Sequence, residues 1–265
     1  MAVRTIFSMA EDCARDERQG WYEFVRDYAA IARFLLQHYF PTLAPELDAH
    51  LPAVFSRARA NGSAWFSSFH FSNEREFLMA FRSLVFASGR EQEHVPAPQI
   101  SLEQVSEIMK DLPVVECEMI WLFIKGYEAE KIGPIVSNLE GTATAVKKVA
   151  DERLAAVIPG STPDAFVLSA RVLIEAAEKK STDKCLSLKT FNNIINGQVS
   201  WRERDLAEEH IKGCLYCIDR YTSFCEMIRI RKDTQPLPEA EIERVVQAMG
   251  APGKKARSLL AKLFS

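Results

Sequence analysis

The 265-residue chain has no stretch near the roughly 20 consecutive apolar residues that a membrane-spanning helix needs, so no helical span is expected. Its first residues, Met1-Ala2-Val3-Arg4, lack the apolar core of a secretory signal, which places the expected site of action in the cytoplasm. Glycine is scarce, at 11 positions, and there is no glycine-rich phosphate loop, nucleophile elbow or metal-hydrolase motif. His38, His50, His70 and His94 are scattered, with no carboxylate or serine at catalytic spacing, so no enzyme is expected. Six cysteines do not make a secreted disulfide scaffold in a chain of this size, and they point to a reducing compartment with thiols available for metal. No segment alternates cleanly between apolar and polar residues, which argues against strands and for an all-α protein.

Apolar residues instead recur at helical spacing. Trp21, Phe24, Tyr28, Ile31 and Leu35 mark one face of a first helix, ended by Pro41. A second helix is predicted over 47–60, closed by Asn61-Gly62. A third, over 74–87, carries Phe77, Leu78, Phe81, Leu84 and Val85 and is broken by Ser88-Gly89. The polar stretch 91–99, with Pro96 and Pro98, reads as a linker, and Ser101-Leu102-Glu103-Gln104 can open a short helix. Three further pieces are predicted at 114–124, 128–136 and 144–158, the last with Val146, Val149, Ala150, Leu154 and Val157 as its buried stripe. A helix over 164–180 precedes the cysteine-rich region. Gln235-Pro236-Leu237-Pro238 then leads into a helix over 239–249 and a basic amphipathic tail, 254–264, which can touch a membrane or nucleic acid but more often packs its Leu/Phe side on the parent domain.

The sharpest motif is His210-x-x-x-Cys214-x-x-Cys217, with Cys185 upstream. On a continuous helix these three donors lie one turn apart and face the same way. With Cys185 as the fourth ligand they can close a tetrahedral site of thiolates and imidazole, the donor set of a structural zinc, with one ion per chain. Cys225 lies two turns beyond Cys217 and suits a buried apolar role, as do Cys13 and Cys117. A thiol redox switch, with Cys214 and Cys217 pairing when metal leaves, is a further use of the same residues.

Charge is unevenly distributed. Residues 1–160 carry 16 Lys and Arg against 22 Asp and Glu, and residues 161–265 carry 17 against 14. The longer part is acidic, which gives it no favourable overall field for nucleic acid.

The order of pieces resembles a bacterial sigma factor of the extracytoplasmic-function type, in the sigma-70 family. Trp21-x-x-Phe24-x-x-x-Tyr28, Pro45-Glu46-Leu47-Asp48, Val54-Phe55 and Arg75-Glu76-Phe77-Leu78 resemble that family's region 2, which implies a helical domain over 1–90 that grips polymerase and melts promoter DNA. Leu112-Pro113, Ile120, Gly126-Tyr127, Lys131-Ile132, Val146-Lys147-Lys148 and Leu154 resemble region 4, a helix-turn-helix expected over 101–160 after a linker at 91–100. The cysteine region, 182–235, resembles the zinc-containing anti-sigma domain, joined through a connecting helix at 161–181 and followed by a C-terminal segment at 236–265. Pro134 falls within the second helix of the region 4-like part and is expected to mark a kink or a new helix start.

The resemblance implies core RNA polymerase and promoter DNA as partners, with Thr144, Lys147, Lys148, Arg75 and Arg82 as the residues that meet DNA. Trp65, Phe66, Phe69 and Phe71 are read as core rather than as a base-stacking platform. It also implies an intramolecular contact in which the zinc domain, through 194–195 and 224–228, restrains the sigma-like modules. The rival reading is a degenerate sigma fold that binds a protein partner and never DNA.

Overall fold

In a computed structural model, the described residues are 5–91, 100–136 and 163–252, with four further helical positions at 144, 148, 152 and 153; side chains are described from 170 onward in the last segment. Among them every regular element is helical and no strand occurs, as the sequence pattern predicts. None of the described helices is long and apolar enough to cross a membrane. The chain divides into two compact units, Met1–Glu93 with Thr234–Ser265, and His94–Asp233.

The first unit is built from α1 (Ile6–Ala14), α2 (Arg18–Tyr39), α3 (Leu47–Ser63), α4 (Glu74–Arg90) and a C-terminal helix, numbered α12 below. Thr5 and Ser8 form a reciprocal capping box that starts α1, a helix the sequence pattern did not reveal. Its register against α2 depends on Gly20, where a Cβ would sit 2.6 Å from Asp12 and Cys13 atoms. The core is aromatic: Trp21, Phe24, Tyr28, Phe55, Phe77 and Phe81 are all buried, and Phe24 alone meets Phe55, Phe66, Phe77 and Phe81 edge-on. Trp65, Phe66, Phe69 and Phe71 make ring contacts with this cluster; Phe66 is buried and the other three are half-buried.

Two boundaries behave differently from each other. Asn61 and Gly62 do end α3, both at positive φ (54° and 69°). Ser88-Gly89 does not end α4, which runs through to Arg90. Gly89 is there for closeness rather than flexibility, because a Cβ would lie 2.6 Å from the ring of Phe40.

The second unit contains α5 (Leu102–Met109), α6 (Val114–Ile124), α7 (Ala129–Val136), α8 (Pro163–Glu178), α9 (Leu188–Ile195), α10 (Trp201–Gly213) and α11 (Leu215–Asp233). Ser101 and Gln104 form a reciprocal capping box that opens α5, the short helix expected there. Pro134 lies inside α7, which already begins at Ala129, so it does not start a new helix. The predicted helix over 144–158 lies largely outside the described residues, as does the tail at 254–264. The segments expected as separate domains over 101–160 and 182–235 fall in one compact unit: α11 packs on α6, α7 and α8, and α10 packs on α6. α12 (Glu239–Ala248) belongs with the N-terminal helices, packing on α2 and α3.

Candidate metal centre

Ser200 starts α10 with a capping box closed by Glu203, and α10 packs inward through Ala207 and Ile211. His210 therefore sits in its last turn, half-buried. The helix does not continue into the cysteines. Cys214 is extended (φ −127°, ψ 107°), its N–H donates to Ile211 O, and its carbonyl accepts from Ile218 N–H at 2.9 Å. The expectation of one continuous helix through His210, Cys214 and Cys217 is thus corrected. His210 ends one helix, Cys214 forms the corner and Cys217 lies in the first turn of the next. The corner aims all three at one point, where a straight helix would have spread them along 10 Å of axis at about 1.5 Å per residue.

Cys185 arrives from the turn before α9. Its sulfur accepts from Thr182 N–H at 3.3 Å and lies 3.5 Å from Thr182 Oγ1. Leu186 N–H donates to the Cys217 sulfur at 3.4 Å. Amide donors aimed at sulfur favour the thiolate, which is the form that binds metal.

The four predicted donors do converge. One ligand atom from each of Cys185, His210, Cys214 and Cys217 lies within 4.8 Å of the others, and the group can hold a metal ion. Cys185 Sγ is 3.8 Å from Cys214 Sγ, and His210 Nε2 is 3.2 Å from Cys217 Sγ. A tetrahedron with metal–sulfur bonds of about 2.3 Å has sulfur–sulfur edges of about 3.8 Å, so the cluster already has the size of a tetrahedral site. Cys217 is buried, and burial pushes its thiol up to about 12; a cation among the sulfurs reverses that cost. Burial also opposes ionisation of Cys185, but hydrogen bonds from Thr182 outweigh it and hold that thiol below its ordinary value. Cys225 stays out of the cluster. It lines a cavity of about 430 Å³ with Tyr221, Ile194 and Ile228, while Cys117 points its thiol at Met109 O.

Below the metal donors, α11 carries a second polar group that the sequence reading missed. Lys125 at the end of α6 is 1% exposed. Its Nζ donates to Glu226 Oε2 at 2.7 Å and Ser223 Oγ at 3.0 Å, and lies 3.9 Å from Asp219 Oδ1. Trp121 Nε1 donates to Asp219 at 3.0 Å, and Tyr127 OH donates to Glu226 Oε1 at 2.5 Å. A signal was present: Asp219, Ser223 and Glu226 recur at i, i+4 and i+7 on a helix otherwise carrying Ile218, Phe224 and Met227 inward. Of the residues expected to make the intramolecular contact, Ile194, Phe224 and Met227 are buried, Phe224 meeting the Phe191 ring of the same cysteine-rich segment at 6.4 Å, whereas Ile195 is exposed.

The residues expected to meet DNA are less coherent. Thr144 and Lys148 are exposed helical positions in the second unit, and Lys147 lies outside the described residues. Arg75 is half-buried on α4. Arg82 contradicts the expectation: it is 3% exposed, with its guanidinium 4.1 Å from the Phe86 ring centroid and 5.8 Å from that of Tyr39. A cation stacked on two core aromatics has no face left for phosphate. No family model matches the chain, and neither a curated protein nor a solved structure matches it.

Proposed function

We propose that the chain is a transcription regulator: a divergent sigma-like factor for bacterial RNA polymerase, restrained by its own zinc-holding module. Cys185, His210, Cys214 and Cys217 hold one structural zinc, which ties the 182–186 turn to the α10–α11 corner. The ion's role is to crosslink; no reaction runs through it. The observation that carries this reading is the seating of α11. The helix that begins at the metal donors packs on both α6 and α7, the helices that resemble a DNA-reading module, and locks there through the buried Lys125–Glu226 pair. Because restrainer and restrained share one chain, their effective concentration is about millimolar and even a weak contact would hold.

A second reading keeps the same metal module but makes the chain a protein-interaction module that does not touch DNA. The burial of Arg82 favours it, since one of the residues needed at the promoter is committed to the core.

Co-purification with core RNA polymerase tests the first reading, carried out with the full chain before and after chelation. Polymerase should be retained more strongly once the metal is removed. Promoter fragments with core enzyme should then bind with a steep salt dependence. Polymerase retained without any salt-dependent DNA binding would favour the second reading, and retention of neither would end the sigma-like proposal.

A further inference from the structure

The first unit is closed by a helix that has the form of a ligand. Along α12, Ile242, Val245, Val246 and Met249 are all buried, between 0 and 6% exposed. Their spacing is i, i+3, i+4 and i+7, the pattern by which an amphipathic helix lays one face into a groove. Its acidic residues meet arginines of the groove. Glu243 pairs with Arg18 of α2 at 2.5 Å, and Glu241 pairs with Arg33 of α2 at 2.6 Å. Arg33 also reaches Asp48 of α3 at 3.3 Å. Arginines hold the end of the helix as well: Arg59 Nη1 donates to Gly250 O at 2.6 Å, and Arg18 Nη1 to Pro252 O at 3.2 Å.

Three features make this seat exchangeable rather than a fixed part of the core. The segment before it, Thr234-Gln235-Pro236-Leu237-Pro238, has no regular structure and is mostly exposed. The fit is incomplete, leaving a cavity of about 100 Å³ between Arg33, Leu51 and Pro52 on one side and Val245 and Ala248 on the other. The aromatic core beneath is assembled from α2, α3 and α4 without a ring from α12.

We infer that the α2–α3 face is a docking groove for an acidic amphipathic helix of another protein, and that α12 occupies it as an internal competitor. The incoming helix must carry aliphatic residues at i, i+3, i+4 and i+7, with carboxylates one residue before and one residue after the first of them, as Glu241 and Glu243 flank Ile242. Arg18 and Arg33 set the sign of the partner, while Arg59, already paired with Asp16, holds the end of the helix through a backbone carbonyl; a basic helix would meet Arg18 and Arg33 and be repelled. The inference rests on the first unit alone and stands whether or not the sigma-like reading does.

The test uses the full chain and a fluorescent synthetic peptide of residues 238–252, read by anisotropy. Wild-type protein should bind the peptide at least about 100-fold more weakly than a variant whose own α12 is disabled, because the tethered helix competes at about millimolar effective concentration. Two disabled variants serve: Val246→Asp, which puts a charge at the seat, and Glu241→Lys with Glu243→Lys, which reverses the ion pairs. Both should stay helical by circular dichroism and bind the peptide saturably, more weakly as salt is raised, while a peptide carrying the two lysines should not bind. If both variants lose their fold, α12 is an integral core helix and the inference is wrong. It is equally wrong if they stay folded and leave the peptide unbound.

Discussion

The two units solve the problem of holding short helices together by different means. The first fills its centre with rings: Phe24 touches neighbours on all sides, and its ion pairs, such as Arg59–Asp16 and Arg33–Glu241, lie near the surface. The second has fewer large apolar groups at its centre and counts a lysine, Lys125, among its fully buried side chains. There α11 is fixed at its start by metal donors and further along by a buried ion network. A ring cluster needs no cofactor and gains from area alone. A metal corner and a buried salt bridge specify one geometry but fail when a single member is lost. The second unit therefore depends on a few specific partners, whereas the first depends on shared apolar area.

The comparison breaks most sharply at the metal. Cys214→Ser or Cys217→Ser should remove bound zinc altogether and unfold residues 182–233 selectively. Structural zinc is worth about 10–16 kcal/mol of apparent binding free energy in small domains. The first unit should melt unchanged by calorimetry. Next in size is the ion network: Lys125→Met or Glu226→Gln leaves the partner buried and uncompensated, with an expected cost of about 3–5 kcal/mol. Replacing both with apolar residues should recover most of that loss in a double-mutant cycle.

Glu118 on α6 sharpens the contrast through pH. Burial, with help from nearby Glu208 and against Arg204, pushes its carboxyl up to about 8. The folded state then holds a proton that the unfolded state releases near pH 4.5, so the second unit loses stability as pH rises from about 4.5 to 8. The slope is up to about 1.4 kcal/mol per pH unit. Glu118→Gln should flatten the denaturation profile of the second unit in that window and leave the first unit's profile alone. The smallest effect belongs to the first unit: Gly89→Ala forces a methyl against Phe40 and should cost about 1–3 kcal/mol by urea denaturation, with metal content unaffected.

Much of this was legible in the sequence, and the failures have physical causes. The face of Trp21, Phe24, Tyr28 and Ile31 gave α2 because a 22-residue amphipathic helix repeats its signal many times. The donor set was legible because thiolate and imidazole at fixed spacing have few other uses. The path of the chain through it was not, since three donors four and three residues apart fit a helix as well as a corner, and Gly213 gave only a weak hint. Gly89 was misread because a glycine that breaks a helix and one that admits a neighbouring ring look alike in one dimension. Arg82 and Lys125 were missed for a shared reason: a cation is normally solvent-facing, and only the tertiary partner, Phe86 for one and Glu226 for the other, makes burial tolerable. The return of α12 to the N-terminal helices could not be read locally at all, because its ion pairs join residues more than 200 apart.

Hydrogen exchange of the full-length protein, with zinc bound and after chelation, tests the central claim most directly. One zinc per chain is expected at the start. On its removal, protection should be lost over 182–233, while α6 and α7 keep their helices and α2, α3 and α4 stay protected. A chain purified without metal, or one whose residues 182–233 keep their protection after zinc is withdrawn, would contradict the zinc-held restraint.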